Sequence, residues 1–165
     1  MEFGYSFINT VKKGGMNLDL RCERIQIKSG INLNLIKTDK FKSNLLSFYF
    51  LRPLTREEVT KNALLPLVLK RGTMELKTNL EIQKKLEENY GANLSVAINK
   101  RGEKHVLRFS VETINGEYIN NKEYIYDVFN LLKSIIFNPL LEEGYFKKSY
   151  VEQEKENLKR KIESR

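Results

Sequence analysis

Hydrophobic and polar positions alternate through the first third of the chain. Ile31, Leu33 and Leu35 fall on one face and Asn32 and Asn34 on the other, which predicts a half-buried strand over Ile31–Lys37. Ser29-Gly30 separates it from an earlier, less regular strand, Leu20–Ile27, and Thr38-Asp39-Lys40 closes it. Leu45–Leu51 is apolar almost throughout, the pattern of a strand covered on both faces, and so predicts a central place in the sheet. Residues 1–15, ending in Lys12-Lys13-Gly14-Gly15, read as an extension or arm before a domain spanning 16–165.

After Pro53 the period changes to that of helices. Thr55-Arg56-Glu57-Glu58 has the form of a capping box, followed by apolar residues to Leu69 and a stop at Arg71-Gly72. Pro66 lies inside this helix, where the missing N–H predicts a kink or break. A second capping box, Thr78 to Glu81, opens a helix with Ile82, Leu86 and Tyr90 on one side and Gly91 at its end. Leu94–Asn99 and His105–Val111 predict a hairpin around a Lys100-to-Lys104 turn. Tyr124, Val128, Leu132 and Ile135 keep helical spacing up to Asn138-Pro139, and from about Glu142 a charged helix carries Phe146, Tyr150, Leu158 and Ile162. Strands and helices in this order predict an α+β fold, a largely antiparallel sheet packed with helices.

Composition changes this picture little. Apolar residues are 41% and charged residues 30%, ordinary for a globular protein, and no run approaches the length of a membrane span. The N-terminus lacks a signal-peptide core, and the one cysteine, Cys22, can form neither an internal disulfide nor a thiolate zinc site, which predicts a cytoplasmic setting. Cys22 lies near Arg21 and Arg24, but no His/Asn partner is readable beside it, so it reads as an incidental thiol. The net charge of +8, from 29 Lys+Arg against 21 Asp+Glu, raises nucleic acid as an alternative partner. The charge is dispersed, however, and Phe48, Tyr49 and Phe50 are consecutive rather than alternating, which favours core over a stacking surface.

The segment Ala63-Leu64-Leu65-Pro66-Leu67-Val68-Leu69-Lys70-Arg71-Gly72-Thr73 resembles the signature helix of the pitrilysin-type (M16, inverted zincin) metallopeptidases. Its flanks agree: an Arg-Pro-Leu strand exit before it, Leu-Glu-Glu-Asn-Tyr-Gly-Ala-Asn-Leu after it, then paired strands, Phe137-Asn138-Pro139, and the helix around Tyr150–Lys155. The resemblance covers roughly residues 16–165, to the N-terminal half-domain of the family, and is similar in particular to bacterial members regarded as inactive and encoded beside an active relative.

Active members carry H-x-x-E-H on that helix. Two imidazoles one turn apart share a zinc ion and the glutamate is the general base on its water. The resemblance puts Ala63, Pro66 and Leu67 at the His, Glu and His positions, and none can bind zinc or take a proton. Read by themselves, Ala63, Leu64, Leu65, Leu67 and Val68 are core residues. Glu154 matches the family's distal glutamate ligand, with Glu152 as a rival; without partners it reads as a solvated or ion-paired helix residue. The only histidine, His105, reads as a partly exposed strand residue. The resemblance implies an inactive homologue with no catalytic residue, no metal and no cofactor. It would act as the non-catalytic, peptide-binding and chamber-forming partner of a zinc-bearing pitrilysin-type subunit, with an extended peptide as ligand. The charged pattern at Arg165 reads as a shortened chain, which predicts exposed apolar surface and a homo-oligomer, with no membrane contact.

Overall fold

Strand pairing is antiparallel throughout the computed structural model, which describes residues 5–9, 12–13, 16–17 and 21–164. The chain divides into two units, Met1–Lys42 and Ser43–Arg165. In the first, β1 (Tyr5–Asn9), β4 (Arg21–Lys28) and β5 (Ile31–Lys37) form a sheet in the order β1-β4-β5, beside a short ladder of β2 (Lys12–Lys13) with β3 (Met16–Asn17). The expected arm of residues 1–15 therefore includes a strand paired with β4, and the expected boundary at 15/16 lies inside this unit. Gly30, with φ +78°, makes the β4–β5 turn that Ser29-Gly30 announces.

In the second unit β6 (Ser43–Pro53), β8 (Lys104–Ile114) and β7 (Asn93–Arg101) form a sheet in the order β6-β8-β7. The expectation that Leu45–Leu51 is central is corrected here: among the described residues β6 is an edge strand, and β8 is central. Only one face of β6 enters the core. Phe48 meets Phe129 and Phe137, Phe50 meets Phe109 and Phe137, while Leu45, Tyr49 and Leu51 are exposed. An all-apolar run fits a one-sided strand as readily as a two-sided one, because exposed apolar residues are common on protein surfaces.

Four helices complete this unit: α1 (Val59–Leu69), α2 (Asn79–Glu88), α3 (Tyr124–Phe137) and α4 (Lys148–Glu163). Buried side chains of α1, α2 and α3, namely Leu69, Ile82, Leu86, Val128, Leu131, Leu132 and Ile135, join Leu107, Phe109 and Val111 of β8 in one core. The architecture is α+β, as the sequence predicts. Helix α4 starts at Lys148, later than the expected Glu142, because β9 (Leu141–Glu142) and β10 (Tyr145–Phe146) pair around a Glu143-Gly144 turn, both residues at positive φ. No helix among the described residues is long and apolar enough to cross a membrane.

Candidate functional site

Helix α1 is fixed at both ends by contacts that the sequence does not announce. At its start the Thr55 carbonyl accepts from the Glu58 and Val59 amides, and the expected Thr55–Glu58 capping box is not formed. The Glu58 carboxylate is instead turned to Arg52, whose Nη2 donates to both oxygens at 2.8 and 2.9 Å. That hydrogen bond is the main reason the Glu58 carboxyl lies below its ordinary value. The expected break at Pro66 is also corrected, since α1 runs on to Leu69. Pro66 is buried, and burial of Val68 and Leu69 beyond it offsets the lost hydrogen bond.

At the other end Gly72 lies against the next loop: a Cβ there would sit 2.8 Å from the Lys77 carbonyl oxygen. Thr73 is wholly buried, and its hydroxyl accepts from the Glu75 and Leu76 amides at 3.2 and 2.9 Å. Tyr150 of α4 donates its hydroxyl to the same Lys77 carbonyl at 3.1 Å. Between these contacts Arg71 donates through Nε to Glu154 Oε1 at 2.5 Å, and its guanidinium lies over the Tyr150 ring, 5.9 Å from the centroid.

Glu154 is thus more enclosed than expected. It is 5% exposed, and its carboxylate is committed to Arg71. Glu152, its rival, is exposed and pairs with Lys155. On α1, Ala63 and Leu67 are half-buried and Pro66 fully so; Leu64, Leu65 and Val68, with Phe146 and Val151, line a cavity of about 240 Å³. His105 is corrected from partly exposed to 6% exposed, with Nδ1 lacking a hydrogen-bond partner. It stands on β8 in register with Arg52 and Lys100. Cys22 is half-buried opposite Ile36 in the first unit. Phe48 and Phe50 are core residues, which leaves Tyr49 alone of the three exposed.

The donor chemistry of Ala63, Pro66, Leu67 and Glu154 does not fit a zinc ion. Three have no side-chain lone pair, and the fourth is held by a guanidinium. Arg71 is the residue that sequence reasoning missed: it pairs with Glu154 across 83 positions, and nothing local marks it.

No protein-family model matches the chain. It is 39% identical, over 136 residues or 82% of its length, to a Bacillus subtilis (strain 168) protein described as "Probable inactive metalloprotease YmfF". The chain spans about a third of that relative's length, 32%. Its fold matches a conserved protein from Enterococcus faecalis V583 with a TM-score of 0.82 and 30% identity, over 87% of this chain and 34% of that one. It also matches pitrilysin with a TM-score of 0.58 over 98% of this chain and 16% of that one, where 17% identity supports the fold alone. The chain is therefore a pitrilysin-like α+β protein. More particularly, it is a homologue of a protein described as a probable inactive metalloprotease.

Proposed function

We propose that the chain is the non-catalytic part of a peptide-handling assembly, one that binds an extended peptide and completes the chamber of a zinc-bearing pitrilysin-type relative. The observation that carries this reading is the state of α1 and α4. In the register that the resemblance implies, Ala63, Pro66 and Leu67 would stand at the positions of the two histidines and the base and Glu154 at the distal ligand position, and Glu154 is paired with Arg71. What remains is a scaffold whose sheet has edge strands with one neighbour each among the described residues. An extended peptide can add to such an edge through backbone hydrogen bonds, which need little of its sequence. The edge best placed is β7, which has one neighbour among the described residues and packs beside α1.

Three measurements test the proposal. The purified chain is expected to leave a peptide library uncut with or without a chelator, and to carry no stoichiometric zinc by elemental analysis. The protein isolated from its own cells is expected to bring with it a relative containing H-x-x-E-H. Chelator-sensitive hydrolysis by this chain alone would overturn the inactive reading, and isolation without any such relative would overturn the partnership.

A further inference from the structure

The β7–β8 hairpin concentrates unpaired positive charge at one end of the β7 edge. Arg101 stands directly opposite Lys104, and Lys100 opposite His105, with Arg52 next in that row on β6. Gly102, at φ +56°, and Glu103 form the two-residue turn between them. Lys100, Arg101 and Lys104 are exposed, and none belongs to an ion pair among the described residues. Like charges set directly across a ladder weaken it. The rest of the edge is different: from Asn93 to Asn99 it reads Asn-Leu-Ser-Val-Ala-Ile-Asn, without a charge. Charge that only protected an edge from unwanted pairing would be useful along its whole length. Here it is confined to the last two residues of β7 and the first of β8.

We infer that β7 selects extended peptides that are acidic at their N-terminal end and uncharged thereafter. The inference rests on the proposed addition of a peptide to this edge and deepens it. Every pairing in the sheet is antiparallel, so an added strand that keeps this pattern begins beside Arg101 and ends beside Asn93. Carboxylates on its first residues then lie beside Arg101 and Lys100, with Lys104 adding its charge from one strand further on, while its remaining residues run past the uncharged stretch. The backbone supplies the affinity, and the basic end sets polarity and register.

The test uses the 165-residue chain and fluorescent peptides of about nine residues, the length of β7. They share a Val/Thr body and carry two glutamates at the N-terminus, two at the C-terminus, or two lysines at the N-terminus. Anisotropy is expected to rank the N-terminal glutamate peptide first by about fivefold, the scale of two exposed cross-strand ion pairs. The exposed double variant Lys100→Glu/Arg101→Glu is expected to reverse the ranking toward the lysine peptide. Equal binding of the three, or a ranking unchanged in the variant, would overturn the charge selection and leave strand addition standing. Failure of all three to bind would overturn strand addition itself, and the selection with it. A single-stranded RNA bound more tightly than any peptide, and released by the double variant, would reassign the basic end to nucleic acid and overturn the inference.

Discussion

Thr55 and Thr78 have the same local sequence signature, and only Thr78 caps a helix. The Thr78 hydroxyl accepts from the Glu81 amide at 3.2 Å, and the Glu81 carboxylate accepts from the Thr78 amide at 2.8 Å. Thr55 lacks this exchange because Arg52 holds Glu58. Thr78→Ala is therefore expected to lower unfolding free energy by about 1 kcal/mol, and Thr55→Ala to leave it nearly unchanged, as read by urea denaturation. The same contact sets a pH dependence. The side-chain hydrogen bond from Thr78, with that from its backbone, holds the Glu81 carboxyl below its ordinary value. A group whose folded value is depressed stabilises the fold above its unfolded value, and that contribution is lost as pH falls through the folded one. The urea midpoint is expected to fall below about pH 4, and Glu81→Gln to flatten that fall. An unchanged acid slope in the variant would show that the capping carboxylate does not contribute.

At the scale of elements, α1 and α4 are joined by the Arg71–Glu154 pair, with side chains 24% and 7% exposed. Removing one partner leaves a charge in a site that no longer solvates it. Arg71→Ala is expected to cost about 2–3 kcal/mol, less than a fully buried pair because the guanidinium keeps some water. Arg71→Met with Glu154→Leu is expected to recover most of that loss, since no charge is then stranded. A double variant as unstable as the single would mean that the pair's geometry, rather than its charge balance, holds the helices. The order of these helices and the existence of the β7–β8 hairpin were legible from apolar spacing. The place of β6 was not. Strand order depends on which strand the hairpin accepts as its second neighbour, and an apolar run carries no mark of that choice.

For the whole molecule, the relation to a probable inactive metalloprotease is carried by sequence identity, and the pitrilysin likeness is one of fold. The chain also exposes apolar side chains: Ile27, Ile31, Leu33, Leu35 and Ile36 on the β4–β5 hairpin, and Leu45, Tyr49 and Leu51 on β6. Apolar strands left open in this way favour association. The isolated chain is expected to self-associate as its concentration rises, and Leu33→Thr with Leu35→Thr to reduce that association, as measured by light scattering. Unchanged scattering in the variant would move the contact elsewhere.

The sequence by itself determined the α+β class, the presence of a helix ending near Arg71-Gly72, the capping at Thr78 and the side chains at positions 63, 66 and 67. These are properties of spacing and residue type, which short-range sterics and hydrogen bonds read directly. Tertiary structure alone decided that Glu58 would turn to Arg52, that His105 would be buried, that β8 would be central, and that Arg71 would neutralise Glu154. The last three depend on residues brought together from distant parts of the chain or across strands, and the Glu58–Arg52 contact on the turn between a strand end and a helix start; apolar spacing records none of these neighbours. The fate of a carboxylate is settled by the cation that packing sets beside it.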